Sequence, residues 1–161
     1  MGTAAHDPIP RPGWLARALK GLRRRRALLQ PDVARRMGMR PRTYEHFEAG
    51  KGPLYVDRIH DFATAVGVDP HAILVALEIG SPEFAVRCAD NKLVTIIVMA
   101  LQDFDLATGD AITQLDAQTL RSSFERLFGD LGDLARARAA LAETWLKDPP
   151  SSPANEPSEE T

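Results

Sequence analysis

Residues 28–51 read LLQPDVARRMGMRPRTYEHFEAGK, and the Pro and Gly punctuation is dense enough to predict the backbone. Pro31 is tolerated in a first helical turn, so it marks a helix start. That helix runs through Val33, Ala34 and Met37 for about two turns, until Gly38 supplies the left-handed backbone a tight turn needs. Pro41 repeats the start signal, and the next helix carries Tyr44 and Phe47 at i, i+3 spacing before Gly50 ends it. The expectation is two short helices flanking one sharp turn.

The surroundings are helical too, with no long run that alternates apolar and polar residues. Upstream, residues 14–28 predict a basic amphipathic helix with Leu15, Leu19 and Leu22 on one face. Downstream, Val56, Ile59, Phe62, Ala63 and Val66 form the inward stripe of a fourth helix that stops at Gly67. Asp69-Pro70 caps a fifth carrying Ile73, Leu74 and Leu77. Ser81-Pro82 opens a short helix, and Asn91 opens a strongly apolar one whose LVTIIVMAL, residues 93–101, reads as a buried core helix. Asp116 opens another, with Leu115 and Leu120 placed for a hydrophobic staple. Its stripe of Leu120, Phe124, Leu127, Phe128, Leu131 and Leu134 is interrupted by Gly129 and Gly132, a potential split into two helices. The Pro-rich start and the terminal PPSSPANEPSEET predict disordered tails. The fold class is therefore all-α: a tail at 1–13, a helical domain at 14–79, a C-terminal helical region at 80–148 and an acidic tail at 149–161.

Charge is distributed unevenly. The formal net charge is -2, yet residues 11–60 hold 13 Lys or Arg against 4 Asp or Glu, and residues 61–161 hold 7 against 17. A basic half of this kind fits a polyanion partner, or a merely solvated surface. The single cysteine, Cys88, and the absence of a signal-peptide pattern at the N-terminus predict a reducing, cytoplasmic setting. The apolar run is too short for a membrane span. No nucleophile motif, phosphate loop or metal-ligand spacing occurs, so neither an enzyme nor a cofactor is expected. The acidic DFDLATGD at 103–110 places its third ligand and its Gly wrongly for a calcium loop.

Two short helices across a Gly turn, with three more around them, form a helix-turn-helix arrangement, whose second helix enters the major groove of DNA. Residues 19–74 resemble the Cro/CI-like, or XRE-type, helix-turn-helix family of DNA-binding transcriptional regulators. The resemblance rests on LxxLR from Leu19 to Arg23, LxQxxxA from Leu28 to Ala34, the turn Gly38, FExGK from Phe47 to Lys51, and AxxVGVDPxxIL at the end. It covers about a third of the chain and implies a five-helix domain that binds double-stranded DNA. Pro41, Arg42, Glu45 and His46 take the positions that reach base edges, with Arg42 the best reader because guanidinium binds guanine O6 and N7 bidentately. The alternative for Arg42 is a phosphate contact only. Arg40, Thr43 and Lys51 are expected on phosphates. Gln30, at the opening of the second helix, is expected on a phosphate or as a simple cap.

The resemblance also implies a structural pair, Arg23 with Glu48, and burial of Tyr44 and Phe47. Arg40 stands where family members usually carry Ser or Thr, so the base preference of relatives does not transfer. The run Arg23 to Arg26 either adds phosphate contacts or solvates its helix. The family generally binds as homodimers, so the C-terminal helices are expected to dimerise, to pack on each other, or to recruit RNA polymerase or another transcription protein. The competing reading is an antitoxin or adaptor whose C-terminal helices hold a partner protein.

Overall fold

The computed structural model describes residues 12–147, and over that range it is all-α. Of the tails expected at the two ends, residues 12 and 13 open the first helix; the rest lie outside the described residues. The order is α1 (Pro12–Arg25), α2 (Gln30–Arg36), α3 (Pro41–Glu48), α4 (Val56–Val66), α5 (Pro70–Glu78), α6 (Pro82–Arg87), α7 (Leu93–Thr108), a 3-10 segment (Gly109–Gln114) and α8 (Ala117–Lys147). The chain divides into two compact units at the end of α7, between Ala107 and Thr108.

The first unit is built on a core drawn from α1 to α6. Leu19 and Leu22 of α1, Val33 of α2, Tyr44 of α3, Ile59 and Phe62 of α4 and Ile73 of α5 are fully buried in it. Ala85 of α6 and Ala89 beyond it join the same core. The approach of α6 to α1 depends on Gly21, where a Cβ would stand 2.8 Å from Val86 Cγ2. Helix α1 stops at Arg25, three residues earlier than its apolar pattern predicts, because Ala27 adopts a left-handed backbone at φ 52° and turns the chain toward α2.

Asp69 does more than cap α5. Its carboxylate is fully buried and accepts from the backbone N–H of His71 (3.0 Å) and Ala72 (3.3 Å) at the start of α5. It also accepts from Val94 N (3.1 Å), Thr95 N (3.0 Å) and the Thr95 hydroxyl (2.8 Å) in the first turn of α7. One carboxylate thus satisfies the orphan donors of two helix N-termini. Burial alone would raise its pKa, but the bonds from Thr95, Ala72 and His71 outweigh that and hold it below the usual range. A depressed folded-state pKa stabilises the fold above the unfolded value and is lost as pH falls through the folded one. Urea titrations across the acid range should therefore show stability falling below about pH 4. Asp69→Asn, which turns a donor toward donors, should cost about 1–3 kcal/mol at neutral pH and flatten that acid dependence.

Helix α7 corrects an expectation. Its run of apolar residues reads as a buried core helix, yet Val94 alone is buried, while Ile96, Met99, Leu101 and Leu106 are exposed. Its first turn packs with Ala72 and Cys88. All-round apolarity signals burial without saying against which chain.

In the second unit, Asp116 accepts from the backbone N–H of Thr119 (2.9 Å) and from its hydroxyl (2.7 Å), opening α8. The potential split at Gly129 and Gly132 does not occur: α8 is continuous over 31 residues. A helical Gly costs only about 1 kcal/mol against Ala, too little to break a helix of this length. The α8 helix holds no buried residue.

Candidate nucleic-acid interface

Helices α2 and α3 meet across Met37, Gly38, Met39 and Arg40. Gly38 sits at φ 62°, which lets Gly38 N donate to Arg35 O (3.1 Å) and Met39 N to Ala34 O (2.8 Å), closing the end of α2. Arg40 precedes α3 without a side-chain cap bond, and Pro41 starts the helix. Tyr44, Phe47 and Glu48 then face inward and are buried, while Pro41, Arg42, Glu45 and His46 face outward and are exposed. All four residues expected to reach base edges therefore lie on one exposed face.

Beneath that face lies a buried polar network. The Arg23 guanidinium grips Glu48 in a fork, Nε to Oε1 and a terminal nitrogen to Oε2 at 3.2 Å, and its other nitrogen donates to Leu28 O at 2.9 Å. The Tyr44 hydroxyl donates to Glu48 Oε1 at 2.9 Å. The Gln30 amide donates to Glu48 Oε2. The Glu48 side chain has no solvent exposure. Burial would raise its pKa, but the bonds from Arg23, Gln30 and Tyr44 outweigh that and hold the carboxyl below its ordinary value. Burial, reinforced by the Glu48 carboxylate, pushes the Tyr44 phenol well above its ordinary value, so it stays a donor. The network ties α1 and the opening of α2 to the base of α3.

Gln30 therefore sits in a different role from the simple cap weighed above. Leu29 is the N-cap residue of α2, no side chain caps it, and one Gln30 amide donor is committed to Glu48. The arginine run is also largely engaged within the protein. Arg23 holds Glu48, while Arg25 (2.8 Å) and Arg26 (2.6 Å) both pair with Asp90, and Arg26 further donates to Gly67 O at 2.8 Å. Arg23 is thus held inside the fold, while the Arg25 and Arg26 pairs with Asp90 lie at the surface.

A set of outward-facing cations gathers beside α3. Arg40, Arg42, Thr43, His46, Lys51, Tyr55 and Arg58 line one open groove that contains no acidic residue. No described ion pair engages Arg40, Arg42 or Lys51, and the Arg58 guanidinium lies over the Tyr55 ring, 5.0 Å from its centre. Tyr55 and Arg58 escaped the sequence reading because they fall in the next helix and its approach, outside the quoted motif. Their signal was an exposed aromatic three residues before an arginine, just past the Gly52-Pro53 break.

Such a face can place guanidinium and imidazole donors against base edges while a cationic rim meets phosphates on either side. Residues 14–74 match the family model described as a helix-turn-helix domain. The match runs from within α1 to within α5, with α2 and α3 as the two helices across the turn and the buried Glu48 network at the base of α3. No curated protein and no solved structure matches the chain. Among the described residues, no helix is long and apolar enough to cross a membrane.

Proposed function

We propose that this protein is a sequence-specific transcriptional regulator of the XRE, or Cro/CI-like, type, acting without catalysis in the cytoplasm as a homodimer on double-stranded DNA. The observation that carries the reading is the outward face of α3. Arg42, Glu45 and His46 project from a helix whose opposite side is locked by Glu48, and an acid-free groove of Arg40, Lys51 and Arg58 flanks them. Arg42, with His46 and Glu45 beside it, reads bases in the major groove. Pro41 sets the start of the helix against the groove wall, and Thr43, Arg40 and Lys51 position it on phosphates. Tyr55 and Arg58 extend that phosphate track.

Counterion release makes the reading measurable. The affinity for duplex DNA should fall steeply with salt, with a log–log slope of about -0.9 per phosphate neutralised. Lys51→Ala and Arg58→Ala should each weaken binding to all sequences alike and reduce the slope by about 1. Fluorescence anisotropy over a salt series checks this, and a slope unchanged in both variants contradicts the groove assignment.

The competing reading, an antitoxin or adaptor that holds a partner protein or RNA polymerase, draws on the exposed apolar residues of α7, Ile96, Met99 and Leu101 among them. A chain that purifies from its native source with a second protein of fixed stoichiometry would favour it. A homodimer that binds DNA by itself favours the regulator.

A further inference from the structure

The continuity of α8 carries more than its apolar stripe. Leu120, Leu127, Leu134 and Leu141 recur at every seventh residue of one unbroken helix. Phe124, Leu131 and Trp145 occupy the other core position of the same heptad, and these seven side chains are 38–70% exposed. A heptad sustained over four repeats is the signature of a seam between two helices, because 3.5 residues per turn keeps one face turned to a partner. Gly129 and Gly132 lie off the seam. The charged residues Glu125, Arg126, Asp133 and Lys147 lie off it as well.

We infer that α8 pairs antiparallel with α8 of a second copy of this chain, forming the dimerisation coiled coil. The direction follows from the one charged residue inside the seam. Arg138 fills the core position between Leu134 and Leu141. In a parallel, in-register pair the two Arg138 guanidiniums meet in the same apolar layer, and like charges there have no acid to share. The antiparallel register that retains the most layers sets Leu131 against Leu134, Phe124 against Leu141 and Leu120 against Trp145 of the second copy. Arg138 then lies opposite Leu127 of the second copy, about 16 Å along the axis from its own counterpart at 1.5 Å per residue. Asp130 of the second copy, which no described ion pair engages, falls within one turn of it. The surface is self-complementary, as a two-fold interface requires.

The inference rests on the dimeric reading above and names the surface that makes the dimer. Its test uses the full chain in light-scattering chromatography over a wide range of concentration. The wild type should run at twice the chain mass of 17.7 kDa, and Leu127→Glu with Leu134→Glu at the single mass, with the unfolding of the helix-turn-helix domain unchanged. Direction is read by mild oxidation. Leu120→Cys together with Trp145→Cys should give a covalent dimer, and Leu120→Cys alone should not, while Cys88 is buried and takes no part. A monomeric wild type overturns both the dimeric reading and the seam. A variant that stays dimeric overturns the seam alone. Covalent dimer from Leu120→Cys alone overturns the antiparallel direction.

Discussion

Arg23→Ala should lower the unfolding free energy by about 3–5 kcal/mol, the cost of leaving a buried carboxylate without its cation. That is a large part of the roughly 5–15 kcal/mol that holds a typical domain folded. The size follows from what Arg23 does: it supplies two bonds to the fully buried Glu48 and one to Leu28 O, where α1 hands over to α2. The pH dependence separates this cause from lost packing. In the wild type, Glu48 has a depressed pKa, so its contribution is present at neutral pH and is lost as pH falls through that value. In Arg23→Ala the cation is gone and burial dominates, which raises the folded-state pKa and makes protonation favour folding. The gap between the two proteins should therefore begin to narrow above about pH 4, where Glu48 of the variant takes up its proton in the folded state, and go on narrowing below it as the wild type loses its contribution. Urea denaturation at a series of pH values reads both effects, and a gap independent of pH would assign the loss to packing.

Arg42→Ala should weaken binding to the preferred site by about 5- to 150-fold, the equivalent of the roughly 1–3 kcal/mol carried by a bidentate arginine–guanine contact. Binding to unrelated duplex should scarcely change, because Arg42 projects from the outward face of α3 and the groove cations Arg40, Lys51 and Arg58 are untouched. The change should appear as loss of discrimination at one base position. Uniform weakening across sequences would instead move Arg42 onto a phosphate, with a reduction in salt slope of about 1.

The parts of the fold that were legible are those set by local stereochemistry. Pro31, Pro41 and Pro70 fix the backbone where helices begin, Asp69 caps one of those starts, and Gly38 and Gly67 admit the left-handed backbone with which helices end. The i, i+3 spacing of Tyr44 and Phe47, together with the family resemblance, put them inside and Arg42, Glu45 and His46 outside, and the structure places them so. What was not legible depends on partners distant in sequence. Asp69 receives Val94 and Thr95, which lie 25 and 26 residues away, so nothing near it marks a second helix start. Asp90 draws Arg25 and Arg26 across 65 and 64 residues, so a run that resembles a phosphate-binding patch is engaged within the fold. Gln30 turns to Glu48, 18 residues on, for the same reason. Composition misled on α7, because apolar side chains require cover without specifying whose. On α8, two glycines interrupt the apolar stripe, and its heptad shows only once the helix is continuous.

The central claim is that the outward face of α3 reads base sequence. The most direct test is selection of genomic fragments by the purified full chain at roughly physiological salt, in parallel with the Arg42→Ala, His46→Ala double variant. Enrichment of one motif by the wild type, and its loss in a variant that still binds DNA with the same salt dependence, is the predicted result. Salt-sensitive binding by both proteins with no motif enriched would contradict it, leaving the basic half with phosphate affinity alone.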